Sequence, residues 1–168
     1  MLYQEFTLEN PANLNASLFS RFMALSREGR VRQSHHFAGR FENTYIDRDD
    51  IPEINELLTI VRVRAAELLA VEPAALKAGF WFNAMASGHS TSLHHHDEND
   101  ELLSAVYYIR VPVNSGALVL HDGDAATVVQ PCAGKLVMFA PDVPHEVTVN
   151  NSDQMRLSVA FNVGPVGD

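Results

Sequence analysis

The chain contains one cysteine, Cys132, among 168 residues. That excludes a disulfide framework within the chain and a zinc site built from several thiolates. Any metal held by one copy of this chain must rest on histidine and carboxylate. Basic residues are also scarce: 12 Lys and Arg stand against 21 Asp and Glu, a formal net charge of -9. This balance excludes a surface that tracks nucleic-acid phosphates. The shortage is uneven. Residues 1–80 hold 9 basic side chains against 11 acids, while residues 81–168 hold 3 against 10, namely Arg110, Lys135 and Arg156. In that second half each cation calls for a specific reason.

Long apolar runs are lacking too. None approaches the roughly 20 residues of a membrane span, and "MLYQEFTLENPANLN" has neither the basic nor the apolar region of a signal peptide. The expectation is a cytoplasmic protein with no membrane and no nucleic-acid partner. Nothing repeats and nothing is of low complexity. With 46% hydrophobic and 20% charged residues, the composition is that of a soluble globular protein, long enough for one domain over 1–168.

Two texts make up that domain. Residues 1–79 read as a helical buttress and lead-in. In "PANLNASLFSRFMALSR", Leu14, Leu18, Phe22 and Leu25 recur at helical spacing from Pro11 to about Arg27. In "DDIPEINELLTIVRVRAAELLAV", Ile54, Leu57, Leu58, Val61, Ala65, Leu68 and Leu69 form a second apolar face, with Asp49 or Asp50 placed to cap and Pro52 in the first turn. "HHFAGRFENTYI" between them reads as loop or short strand. From 80 to 163 the pattern becomes short apolar runs broken by Gly, Pro, Asn and Asp, as in an all-β barrel or sandwich. "LLSAVYYIRV" is apolar on both faces, the mark of a central strand covered on each side. The predicted fold is mainly β with N-terminal helices packed outside the sheet: a cupin-like double-stranded β-helix, or jelly roll, with residues 164–168 as a tail.

What stands out is "SLHHHDENDE", where three histidines run into four carboxylates, Asp97, Glu98, Asp100 and Glu101. Six of the 8 histidines fall between His89 and His145. Residues i and i+2 of a strand face the same way, so the stretch offers two rival pairs, His94 with His96 or His95 with Asp97. A third ligand is expected from "FAPDVPHEV", where His145 sits between a Pro-bounded turn and a new strand. Two ligands from one strand end and one from a distant strand leave open positions on the metal.

"SAVYYIRVPVNSGALVLHDG" followed by "QPCAGKLVMFAPDVPHEVTVNNSDQMRLSVAFN" resembles the core of the Fe(II)- and 2-oxoglutarate-dependent oxygenases, particularly their small prolyl-hydroxylase-like branch, over about residues 81–163. The resemblance implies Fe(II) as metal, 2-oxoglutarate as cosubstrate, and oxidation of a small-molecule or peptide substrate, with hydroxylation as the expected outcome. It makes His145 the distal ligand and Arg156 the anchor for the far carboxylate of 2-oxoglutarate. Arginine suits that task because its planar fork grips both oxygens and is always charged. In "MRLSVAF", Met155, Leu157, Val159 and Phe161 share one face, leaving Arg156 and Ser158 on the other. Ser158 then adds a hydroxyl to the same carboxylate, and Tyr108 is the expected third partner. Catalysis is metal-centred, and no separate acid or base is assigned.

The two metal frames make different charge statements. The family's His-x-Asp or His-x-Glu pattern selects His95 and Asp97, whereas the resemblance also implies six positions from the lead-in glycine to the first ligand, which from Gly88 selects His94 and His96. The spacing favours His94 and His96. A rival enzyme class is a cupin, a metal-dependent dioxygenase or isomerase without 2-oxoglutarate, whose ligands are His94, His96, Glu101 and His145. It leaves Arg156 and Ser158 unexplained. A third class is a non-catalytic β-helix module that binds a small ligand. Phe80, Trp81, Phe82 and Met85 are placed to line or support a pocket and carry no assigned role. Substrate identity and oligomeric state have no signature in the sequence.

Overall fold

The computed structural model describes residues 2–96 and 100–167. Two helices and two antiparallel sheets follow from the patterns above. Strand β1 (Tyr3–Thr7) precedes helix α1 (Ala12–Arg27), the hairpin β2 (Arg32–Phe37) and β3 (Arg40–Tyr45), and helix α2 (Ile54–Leu69). Eight strands complete the chain: β4 (Leu76–Met85), β5 (Thr91–His94), β6 (Leu103–Arg110), β7 (Leu118–Asp122), β8 (Ala125–Val129), β9 (Lys135–Phe139), β10 (His145–Val147) and β11 (Arg156–Pro165). The larger sheet has the order β1-β9-β6-β11-β4-β3-β2 and the smaller β5-β10-β7-β8. Together they form the double-stranded β-helix expected from the strand texture.

The helices bury one stripe each. Leu18, Phe22 and Leu25 of α1, and Ile54, Leu57, Leu58, Val61 and Ala65 of α2, pack with Tyr107, Leu157, Val159 and Phe161 in one cluster on the outer face of the larger sheet. Each such side chain contributes on the order of 1.5–3 kcal/mol when fully buried. Alternation then sends the intervening residues inward. Tyr107 belongs to the helix-side cluster and donates its hydroxyl to Asn15 Oδ1 at 2.6 Å, while its neighbour Tyr108 packs between the sheets with Leu118, Leu120, Val137 and Phe139. Burial pushes the Tyr107 phenol up to about 12.

Two local expectations need correction, and two others gain detail. Neither Asp49 nor Asp50 caps α2; they lie in a short 3-10 turn, Arg48–Asp50, and Glu53 is the N-cap without a side-chain hydrogen bond. Leu68 has the right spacing for the apolar face but is 37% exposed at the penultimate position of the helix. The N-terminal segment also contributes a strand, since β1 pairs with β9 and extends the larger sheet. "HHFAGRFENTYI" is a full hairpin whose strand β3 pairs with β4. Its inward residues are Arg40, Glu42 and Thr44, all buried, while Phe41 is 43% exposed. Polar and charged side chains, not Phe41, therefore face inward.

Candidate metal and cosubstrate site

The site lies between the two sheets. Its floor is set by strand register, since residues directly opposite on neighbouring strands share a face. Ser158 on β11 lies opposite Asn83 on β4 and Tyr108 on β6; Arg156 lies opposite Met85; Ala160 lies opposite Trp81 and Val106. The smaller sheet supplies the other wall. There His145 on β10 pairs with His94 on β5 and with Leu120 on β7. The cavity between the sheets, about 310 Å³, is lined by His94, His95, His96, His145, Arg156, Ser158 and Tyr108 among others.

The structure brings His94, His96 and His145 together: one ring nitrogen from each lies within 4.8 Å of the others. The ring centroids of His94 and His145 are 4.2 Å apart, and His96 stacks at 5.4 Å from His145. Outward hydrogen bonds fix two tautomers. His94 Nδ1 meets the Ser92 carbonyl at 2.7 Å and His145 Nδ1 meets the Val143 carbonyl at 2.9 Å. A carbonyl only accepts, so each Nδ1 carries the proton and each Nε2 keeps its lone pair. Burial, reinforced by His94 and opposed by the Val143 carbonyl, lowers the His145 pKa to about 3, so this ring is neutral. His95 lines the cavity without joining the trio, and Asp97, its partner in the alternative frame, lies outside the described residues. Glu101, a ligand in the cupin reading, is not in the trio either; its Oε2 lies 3.7 Å from His96 Nδ1.

Arg156 occupies the other end. Its side chain is 1% exposed, Nη1 contacts only the soft sulfur of Met85 at 3.5 Å, and Nε is buried without a partner. The guanidinium sits over the Tyr108 ring, 5.1 Å from its centroid. Among the described residues no carboxylate pairs with it. Burial lowers the arginine's pKa and raises that of Tyr108, each shift opposed by the attraction between the two groups, although the Tyr108 hydroxyl meets no partner in hydrogen-bond geometry.

Residues the sequence left unread hold β5 in place. Glu42 accepts from the Ser92 N–H at 2.8 Å and from the Ser92 hydroxyl at 2.6 Å. Arg40 donates to the Ser90 and Ala84 carbonyls at 3.0 and 3.1 Å and to Asn83 Oδ1, and Asn83 in turn donates to Thr91 Oγ1 at 2.9 Å. The two β3 side chains thus tether the strand that carries His94. Gly88 makes the preceding turn at φ +82, a conformation that penalises side chains. Trp81 lines the cavity, Met85 touches Arg156, and Phe82 is core on the helix side. The available signal for Arg40 and Glu42 was two opposite charges spaced i, i+2, which is too common to single them out.

A double-stranded β-helix with clustered imidazoles at one end of its cavity and a lone buried arginine at the other defines a metal-and-anion class of site. The chain belongs to the 2OG-Fe(II) oxygenase superfamily, whose family model matches residues 80–164. A prolyl-4-hydroxylase from Pseudomonas putida is similar over 98% of this chain and 93% of its own, at 22% identity and a TM-score of 0.75. The epimerase SnoN from nogalamycin biosynthesis, in complex with Fe3+, alpha ketoglutarate and nogalamycin RO, matches over 97% of this chain and 78% of its own, at 15% identity and a TM-score of 0.78. A Trichoplax adhaerens prolyl hydroxylase in complex with a hypoxia inducible factor peptide fragment matches over 97% and 83%, at 14% identity and a TM-score of 0.70. At these identities the structural likeness establishes the fold. No curated protein matches the chain in sequence.

Proposed function

We propose that the chain is an Fe(II)- and 2-oxoglutarate-dependent hydroxylase in which His94, His96 and His145 hold the metal and Arg156, Ser158 and Tyr108 hold the far carboxylate of 2-oxoglutarate. The observation that carries this reading is Arg156, a buried cation without a carboxylate partner among the described residues, sharing a cavity with three converging imidazoles. Burying an unpaired charge is costly, and a dicarboxylate would supply the missing counter-charge. The donor set also fits: imidazole suits Fe(II), and three ligands on one side leave positions for cosubstrate and oxygen.

When bound, Fe(II) and 2-oxoglutarate supply chemistry in which oxygen is reduced, 2-oxoglutarate is decarboxylated to succinate, and a C–H bond of the substrate becomes C–OH. The chain's own part is positional. The Ser92 and Val143 carbonyls hold two imidazoles in the ligating tautomer, the arginine fork orients the cosubstrate, and the walls formed by Tyr108, Phe139 and Leu118 keep that end dry. The prolyl hydroxylases among the similar structures support hydroxylation of a small molecule or peptide; SnoN, an epimerase on the same fold, makes oxygen incorporation the point to measure. The test is anaerobic calorimetry with Fe(II)-loaded protein, followed by succinate formation in air. Binding of one equivalent of 2-oxoglutarate that requires Arg156, with Fe(II)-dependent succinate release, supports the reading. Metal binding without 2-oxoglutarate binding overturns it in favour of cupin-type chemistry.

A further inference from the structure

Each imidazole of the trio turns its Nδ1 toward an oxygen, but the three oxygens differ in kind and in distance. His94 and His145 use backbone carbonyls. His96 instead faces a carboxylate, Glu101 Oε2, at 3.7 Å. That side chain is 2% exposed, and the Ser104 hydroxyl donates to its other oxygen at 3.1 Å. Ser104 is itself buried on β6, so the acid is held by the rigid larger sheet rather than by a loose loop. On the other side, the His96 backbone N–H donates to the Pro141 carbonyl at 2.7 Å, tying it to the segment that leads into His145. The ring is thus held by its backbone on one side and faced by a buried carboxylate on the other.

Three neutral imidazoles leave the full charge of a divalent ion uncompensated by the protein, whereas a set with one carboxylate removes a unit of it. A carboxylate behind a ligating histidine restores part of that charge at one remove. It accepts the Nδ1 proton, fixes the ring's tautomer and makes Nε2 a stronger donor. We propose that Glu101 is a positioning residue of the metal site: it acts through His96, holding Nε2 toward the shared centre and supplying the negative charge that the trio lacks. The proposal rests on the reading of His94, His96 and His145 as the metal-binding set. It also explains why an acid that misses the trio is nevertheless buried beside it.

The test compares Glu101→Gln, Glu101→Leu and His96→Ala with the unaltered protein, using Co(II) alone as the probe. Affinity is measured by competition with a chelator, and the unfolding temperature with and without the metal. Gln keeps an acceptor and loses the charge; Leu loses both. Co(II) affinity should fall by roughly 10–100-fold in Glu101→Gln and further in Glu101→Leu. Metal-free Glu101→Gln should unfold at the temperature of the unaltered protein, so that the deficit shows only in the metal-induced increment. In the Co(II) form, one metal-shifted exchangeable ring N–H resonance should be lost in Glu101→Leu. Unchanged Co(II) affinity in both Glu101 variants overturns the proposal while leaving the trio intact. So does an affinity loss matched by an equal fall in metal-free stability, since that marks a merely structural acid. If His96→Ala binds Co(II) as tightly as the unaltered protein, the trio itself is wrong and the proposal falls with it.

Discussion

The two ends of the cavity are built on opposite electrostatic plans. At the histidine end the imidazoles turn their proton-bearing nitrogens outward: His145 is held uncharged by burial, and the Nδ1 atoms of His94 and His145 are occupied by carbonyls. At the arginine end a permanent cation is buried against a sulfur and an aromatic face, with Nε and the Tyr108 hydroxyl unpartnered. The first end can wait for a cation without strain. The second carries an electrostatic cost that only an incoming anion relieves, which makes it the sharper indicator of what the cavity binds.

The comparison breaks most severely at a metal ligand. His145→Ala and His94→Ala should each lower Fe(II) affinity by more than the roughly 10–100-fold typical of an outer partner, with iron content after gel filtration as the measurement. Both variants should still unfold cooperatively without metal, so that the loss is read on a folded protein. Iron retained at the unaltered level in both would remove the histidine end from the argument.

Next in size is Arg156. Truncating one member of a buried charged contact costs about 2–5 kcal/mol, and 1.4 kcal/mol is tenfold. Calorimetry of the Fe(II) form should therefore show 2-oxoglutarate affinity at least tenfold weaker in Arg156→Ala, with Arg156→Lys recovering only part because a point charge does not reproduce the fork. Iron affinity should stay put. Arg156→Met sharpens the contrast: removing an unpaired buried cation should raise the unfolding temperature of the ligand-free protein while abolishing cosubstrate binding. A Met variant that is both less stable and still binds 2-oxoglutarate would refute the asymmetry.

How legible each end was follows from the same physics. Arg156 and Ser158 could be placed from "MRLSVAF" alone, because the apolar residues Leu157, Val159 and Phe161 mark the helix-covered face and leave the polar ones inward. The two-sheet fold was legible for the same reason, through short runs of apolar residues and a paired-Tyr strand covered on both sides. The histidine end was not resolved by periodicity, since "HHHD" permits two frames and β5 stops at His94, beyond which strand alternation no longer governs where His95 and His96 point. The tethers of β5 were hidden altogether. Arg40 and Glu42 bury charge where a strand ordinarily buries hydrophobic side chains, so β3 resembled a loop.

The histidine end should also set an acid limit on stability. His145 has a folded pKa of about 3, below the ordinary value of 6.5 for an unfolded histidine. Between those values the unfolded chain binds a proton that the folded one does not. Stability is therefore full above about pH 6.5 and falls as pH drops toward the folded value, by up to about 1.4 kcal/mol per pH unit from this group. Denaturant unfolding of metal-free protein from pH 7 to 4 should show a shallower pH slope in His145→Gln than in the unaltered chain. Parallel slopes would mean that His145 is not held neutral.

The smallest expected effect separates two roles of Tyr108. Its ring lies under the Arg156 guanidinium, and its hydroxyl is buried without a partner, so ring and hydroxyl are independent contributions. Tyr108→Phe keeps the aromatic face and removes only the oxygen. If the hydroxyl donates to the carboxylate of 2-oxoglutarate, affinity should weaken by the worth of one hydrogen bond, about 0.5–1.5 kcal/mol, or roughly 2- to 12-fold. A change that small requires titrations of both proteins under the same iron loading. The ligand-free protein should meanwhile change little in stability, because the buried hydroxyl lacks a hydrogen bond of good geometry and gives Arg156 only an electrostatic contact in return for its own burial. The opposite pattern, unchanged cosubstrate affinity with lower stability, would reduce Tyr108 to a hydrophobic wall. Arg156 and Ser158 would then hold the carboxylate by themselves.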